Sequence, residues 1–383
     1  MNPLEQKIID KIRKEGPVTF EEFMLLALYD PEFGYYTSQK SVIGREGDFY
    51  TSSHLHPLFG VMIGKQIEEM WEVMGRPSDF SIVEMGAGSG YVCRDMLDYF
   101  KGTGDKGQTA KEERDIFRHL KYSIVERNPS VKERQQVLLK DHSEKVNWRS
   151  DIKEIETVIG CFFSNELLDA FPVHLVQMEE GLKEIYVASD KGNLKEETGE
   201  LSAVSIKEYF SQLPAEFEKG YRTEVNLRIG NWLDDLNGKL TEGFILTIDY
   251  GYPALDYYSE ERNRGTLMCY HRHQFNENPY QNIGEQDITS HVNFSSVKKW
   301  GEELGLKTIG YCNQGTFLLS LRIDEEIKRL SESSKDYLFE LSRIKKLFMP
   351  QGMGESHKVM IQYKGEGLPG LKGFSIRNQL KFL

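Results

Sequence analysis

Three glycines at alternate positions, Gly86, Gly88 and Gly90, follow directly on the apolar run Ile82-Val83 and open a helical pattern near Tyr91. Glycines so placed let the backbone turn tightly and approach a ligand, and the helix start behind them offers free N–H groups and a positive dipole end. The chemistry this suits is the binding of a nucleotide-like cofactor. A dinucleotide fingerprint, G-x-G-x-x-G, would want a glycine or alanine at position 91, where this chain has Tyr91, so a nicotinamide cofactor is the weaker reading. Glu126 ends the next apolar run, where its carboxylate could accept both ribose hydroxyls. It lies 40 residues after Gly86, against about 20 in a plain dinucleotide unit, and the polar stretch 101–114 accounts for the excess. An isolated glycine-rich turn is most often only a turn; a loop and an acid in register with successive strands argue for a site.

The form Glu84-Met85-Gly86-Ala87-Gly88-Ser89-Gly90 resembles the first motif of class I S-adenosylmethionine methyltransferases. The resemblance implies S-adenosyl-L-methionine as cofactor, with Glu84 near its cationic methionine ammonium, to which Coulomb attraction would draw a carboxylate. Asp151 and Ile152 follow Trp148 where a third strand should end; Asp151 could accept the adenine amino group while Ile152 packs on the ring. Methyl transfer is expected at Ser164-Asn165-Glu166-Leu167-Leu168-Asp169, after a central strand, where open α/β sheets place ligands. Asn165, Glu166 and Asp169 are the catalytic candidates, with Asn165 also beside the cofactor. Guanidinium stays protonated and pairs bidentately with a carboxylate, so an arginine acceptor would explain the acids, Glu166 first. The alternative is that Asn165 caps a following helix and Glu166 sits in its first turn. Glu224 and Asp249 are further acidic candidates. His54/His56 and His271/His273 could be metal half-sites, but H-x-H lacks the i, i+4 spacing of a helical pair, and no metal is expected.

The elements that must position these residues are legible in outline. Leu4, Ile8, Ile9 and Ile12 recur at helical spacing, Thr19 and Glu22 form a capping box for a second helix, and Pro57 starts a third that ends at Gly75-Arg76-Pro77. From residue 77 short apolar runs alternate with helical ones, which predicts a parallel sheet with crossover helices. The expected fold is α/β: a Rossmann-like class I methyltransferase sheet over 77–383, insertions near 172–223 and 313–350, and an N-terminal helical extension and cofactor lid over 1–76. Residues 173–189 read as two strands joined by a Glu-Gly turn, DKGNLKEETGE as a charged connection, and the Gly-rich tail after 364 as a surface arm. The 383 residues, 39% hydrophobic and 28% charged, are those of a globular chain, and 48 basic against 60 acidic residues argue against nucleic acid or anionic membrane as partner. Four scattered cysteines fit a reducing compartment, and no apolar run approaches the ~20 residues of a membrane span. The acids in the first fifteen residues are unlike a secretory or mitochondrial leader, so a cytoplasmic location is expected.

The motifs DPEFGYYT, GDFYTSSHLHPLFG, VEMGAGSG, SIVERNPSVKERQ, SNELLDAFPVH, TIDYGY, GTLMCYHRHQF, GEQDITSHVNFS and QGMGESHKVMI resemble the MidA-like family of S-adenosylmethionine-dependent methyltransferases over nearly the full chain. The family includes the mitochondrial methyltransferase that helps assemble respiratory complex I by dimethylating an arginine of one subunit. The resemblance implies that Gly86, Gly88, Gly90 and Glu126 bind the cofactor, that Thr51-Ser52 covers it, and that Asn165-Glu166 lies beside the transferring methyl. It also implies a protein substrate, a respiratory-complex subunit being one candidate. Where members usually continue Thr-Ser with Pro-Glu, this chain has Ser53-His54, which bears on the lid and on acceptor choice. Two alternatives remain at this point: a non-catalytic cofactor-binding assembly factor, and a methyltransferase acting on a small molecule.

Overall fold

The computed structural model describes residues 2–37, 55–102, 113–213, 216–272 and 274–383. The chain folds as two units: 1–49, 168–232 and 251–297 in one, and 50–167, 233–250 and 298–383 in the other.

The second unit is built on seven principal strands: β1 (Phe80–Met85), β2 (Leu120–Val125), β3 (Val146–Arg149), β4 (Val158–Asn165), β5 (Leu240–Tyr252), β6 (Lys307–Asn313) and β7 (His357–Lys364). Their order across the sheet is 6-7-5-4-1-2-3. Strands 3-2-1-4-5 pair in parallel in the Rossmann order. β7 runs antiparallel between β5 and β6. The expected Rossmann-like sheet is therefore present. Because helices cover such a sheet, β4 and β5 are buried almost throughout and read as continuous apolar runs rather than as alternation. Helix Leu58–Val73 puts Phe59, Met62, Ile63, Ile67 and Met70 into this core, where helix Tyr91–Lys101 adds Val92, Met96 and Phe100. The 313–350 insertion is helical: Gln314–Ser320, Ile323–Ser333 and Tyr337–Phe348. The tail is not an arm. Leu371 and Phe374 are buried in the same core, and Gln66 Oε1 accepts from the Gly373 N–H at 3.1 Å. Glycine-rich composition hid two apolar side chains and a buried acceptor waiting for the backbone.

The first unit starts with helix Pro3–Glu15, capped by Asn2, and helix Phe20–Tyr29, whose N-cap Thr19 accepts from Glu22 N–H at 3.1 Å. Its sheet holds strands His174–Met178 and Leu182–Asp190 as the expected antiparallel pair, with Arg222–Val225 and Val18–Thr19 on either side. Residues 193–199, expected to be a connection, form a further antiparallel strand on Leu182–Asp190. It is mostly exposed, so charged residues line it and no alternation betrays it. Glu224 is a structural carboxylate here. It is 1% exposed and accepts from Thr266 N–H at 2.9 Å, Leu267 N–H at 3.1 Å, the Thr266 hydroxyl at 3.1 Å and the Tyr257 hydroxyl at 3.3 Å. Among the described residues no helix is long and apolar enough to cross a membrane.

Candidate functional site

In the Rossmann order the strand order reverses between β1 and β4, and the crevice outside their carboxyl ends is where such sheets bind ligands. The loop after β1 carries the three glycines, with φ of +72° at Gly86, +53° at Gly88 and +83° at Gly90. All three lie in the left-handed region that side chains disfavour. A Cβ on Gly86 would also come within 2.9 Å of Leu167 Cδ1, so the loop closes against the segment after β4. Gly90 is the N-cap of the eleven-residue helix Tyr91–Lys101, leaving the first N–H groups of that helix at the loop.

One loop-holding residue escaped the sequence reading. Gln135, fully buried on helix Pro129–Leu138, donates from Nε2 to the Gly88 carbonyl at 2.9 Å and accepts from Trp148 Nε1 at 2.9 Å. It ties the glycine loop to β3. Its helix is polar overall, and although Gln135 closes the segment SIVERNPSVKERQ, nothing local marks a lone inward glutamine as holding a loop.

The acids differ in environment. Glu84 is 2% exposed, and one oxygen accepts from the Tyr122 hydroxyl at 2.8 Å. Burial pushes its carboxyl up to about 7, with the Tyr122 hydrogen bond acting the other way. The folded protein therefore holds a proton that the unfolded chain has lost above its ordinary value of 4.5. Stability is fully present below about pH 4.5 and declines as pH rises towards 7, by roughly 3 kcal/mol in all. Glu84→Gln cannot ionise, so its urea-unfolding stability should fall less between roughly pH 5 and pH 8 than that of the parent. Equal slopes would remove Glu84 as the source.

Glu126, at the end of β2, accepts from the Asn128 N–H at 2.7 Å, and burial raises its carboxyl. Asp151 accepts from the Lys153 N–H at 3.0 Å and from Arg127 Nη2 at 3.0 Å; these contacts, the backbone hydrogen bond first, hold its carboxyl below the usual range. Ile152 beside it is buried.

At the end of β4 the alternative of a capped helix fails. Glu166 sits at φ +51°, the left-handed region, and the chain then enters only a short 3-10 turn from Leu168 to Ala170. The N–H groups that a helix start would have left free bond to β5 instead. Glu166 N–H donates to the Ile248 carbonyl at 2.9 Å and Leu167 N–H donates to Asp249 Oδ2 at 3.1 Å, while Asp249 Oδ1 accepts from Tyr250 N–H at 2.9 Å. Asp249, fully buried, is thus an anchor for this turn. Asn165 Nδ2 donates to Glu166 Oε1 at 3.2 Å. Among the described residues Asn165 Oδ1 is a buried acceptor with no hydrogen-bond partner. Left-handed backbone at a bulky residue costs on the order of 1–2 kcal/mol, and such strain collects where a side chain must be aimed.

Asp169 belongs to the first unit, where its carbonyl accepts from the Ser290 N–H at 2.9 Å. Thr51, Ser52, His54 and His273 lie outside the described residues. His56 Nδ1 accepts from the Leu58 N–H at 3.0 Å at the start of helix Leu58–Val73, and His271 Nδ1 lies 2.8 Å from the Glu285 carbonyl.

The Methyltransf_28 family model, described as an S-adenosyl-L-methionine-dependent methyltransferase, matches residues 62–312. The rat protein arginine methyltransferase NDUFAF7, mitochondrial, is 26% identical over 382 residues, covering 93% of this chain and 83% of its own length. The human protein of that name is 27% identical over 387 residues, covering 93% and 82%. A COG1565 superfamily member from Burkholderia thailandensis, crystallised with S-adenosyl-homocysteine, superposes with a TM-score of 0.88 at 27% identity, covering 99% of this chain and 96% of that one. The cytoplasmic location expected from the N-terminal acids is overturned, because these curated relatives are mitochondrial proteins.

Proposed function

Since the chain belongs to the Methyltransf_28 family of S-adenosyl-L-methionine-dependent methyltransferases, we propose that it methylates arginine side chains of a partner protein. The observation that carries this reading is the strained Glu166, its carboxylate held by Asn165 at the carboxyl end of β4. A guanidinium stays protonated in water, so an arginine acceptor needs a fixed carboxylate to localise its charge away from the attacking nitrogen. Glu166 would do this and receive the proton that leaves as the nitrogen–carbon bond forms, while the buried Asn165 acceptor would orient a second N–H. The relatives named protein arginine methyltransferases support the same acceptor class. A respiratory-complex subunit is the specific partner that the family resemblance suggests.

The residues fit the cofactor. The glycine loop presents backbone without side chains, and Asn165 Oδ1 is a buried acceptor awaiting a donor. When bound, S-adenosyl-L-methionine supplies an electrophilic methyl on a sulfonium, so the protein's task is chiefly alignment. Gly86, Gly88 and Gly90 would admit the cofactor, Glu126 would take the ribose hydroxyls, and Ile152 would pack on the adenine with Asp151 at its amino group. Glu84 would act on the methionine end, and Thr51 and Ser52 would cover the cofactor.

Incubation with radiolabelled cofactor and extract from source cells lacking the gene tests the assignment. Label in one protein band, on arginine after hydrolysis and absent with Gly88→Arg, is the expected result. Label confined to small molecules, or tight cofactor binding with no turnover, would overturn it.

A further inference from the structure

Every strand that delivers a candidate residue to this crevice does so with its last residues, because the strands are parallel. β7 is the exception. Running antiparallel, it brings its first residue, His357, to the same edge of the sheet, opposite Tyr250 in register. The ring is 8% exposed, and Tyr250 meets it at 5.4 Å between centroids in an edge-on arrangement. Nδ1 lies 3.0 Å from the Ser356 hydroxyl oxygen. Nε2 has no hydrogen-bond partner among the described residues and lies 3.5 Å from Glu166 Oε1.

We propose that His357 is a positioning residue for Glu166. With the Ser356 hydroxyl donating to Nδ1, the neutral ring carries its proton on Nε2, aimed at the carboxylate. Asn165 Nδ2 and His357 Nε2 then approach the same oxygen, Oε1, from a side chain on β4 and one on β7. Two donors on one oxygen fix the rotation of the carboxylate about its last torsion, which a single donor cannot. A donor 3.5 Å away is short of a full hydrogen bond in this structure; such contacts tighten when the acceptor is loaded. The idea rests on the role given to Glu166 under the proposed function, and it adds a strand and a residue to the site that no motif spacing connects to it, since 191 residues separate the two positions.

Three variants separate this role from packing. His357→Phe keeps the ring volume and loses the donor; His357→Gln can place an amide N–H near the Nε2 position; Glu166→Gln is the background for a double-mutant cycle. Turnover is read as S-adenosylhomocysteine released in the presence of extract, a signal that does not depend on the class of acceptor. The Phe variant should lose about 10- to 100-fold in kcat with cofactor affinity and melting temperature unchanged, and the Gln variant should recover most of it. In the Glu166→Gln background His357→Phe should have no further effect. Imidazole nitrogen resonances should show the proton on Nε2, with that nitrogen shifting in Glu166→Gln. A Phe variant at the parent rate, additive effects in the cycle, or an Nε2 resonance indifferent to Glu166 would each overturn the proposal. Turnover without label on any protein would instead sink the arginine reading and leave the link between His357 and Glu166 to be decided by the cycle.

Discussion

Gly88→Arg should abolish cofactor binding and leave the fold standing. Gly88 has φ +53°, a conformation in which an L-residue costs on the order of 1–2 kcal/mol. That strain is below the roughly 5–15 kcal/mol by which folded domains are typically stable. The larger effect is steric and electrostatic. A guanidinium on the loop would occupy the space that the bare backbone leaves to the cofactor and set a positive charge beside a sulfonium. Affinity should fall by on the order of 100-fold or more, equivalent to about 2.7 kcal/mol. Titration calorimetry with S-adenosylhomocysteine, paired with thermal unfolding, checks both halves. Gly88→Ala carries the strain without the bulk and should bind more weakly than the parent but measurably. Parent-like affinity in the Arg variant would remove the loop from the cofactor site.

Substitution of Glu166 should separate stability from activity. Glu166→Gln keeps the size and the backbone strain but loses the charge, so cofactor affinity should hold while transfer falls by about 10²- to 10⁴-fold, the range for a lost acid–base group. Glu166→Gly should also lose transfer, yet relief of the left-handed backbone at φ +51° should raise stability by about 1 kcal/mol. A more stable, inactive protein is the signature of a residue held under strain for its chemistry. Chemical denaturation and a turnover assay on the same preparations decide it: a destabilised glycine variant would mean that the Glu166 side chain holds the turn together, and an active Gln variant would mean that it serves the fold alone.

Much of this is written locally in the chain. Gly86, Gly88 and Gly90 can be read because left-handed backbone leaves glycine as nearly the only comfortable residue, and such a loop between an apolar strand and a helix has few other uses. The parallel sheet can be read because strands covered on both faces are apolar throughout. Asn165 and Glu166 can be singled out by position, at the end of a central strand. The Thr19 N-cap and the hairpin at 174–190 are likewise contacts between near neighbours.

The features that escape such reading depend on residues far apart in the chain. A helix start at Asn165-Glu166 is as good a local reading as the strained turn. Only the carboxylate of Asp249 and the Ile248 carbonyl, 82 residues away, take the N–H groups that a helix start would have left free. Glu224 and Glu84 are both acidic candidates by sequence, but one is surrounded by backbone donors of a distant loop and the other accepts from the Tyr122 hydroxyl. Gln135 and His357 fall inside the segments SIVERNPSVKERQ and QGMGESHKVMI, but nothing local marks what either does; they matter because a helix and an antiparallel strand bring them to the glycine loop and to Glu166. The glycine loop, the class of sheet and the family are thus legible from neighbouring residues, because backbone conformation and hydrophobic period are local properties. Which acids are buried, which are partnered and which carboxylate is aimed are settled only when the chain packs, because desolvation and hydrogen bonding depend on what the fold sets against each group.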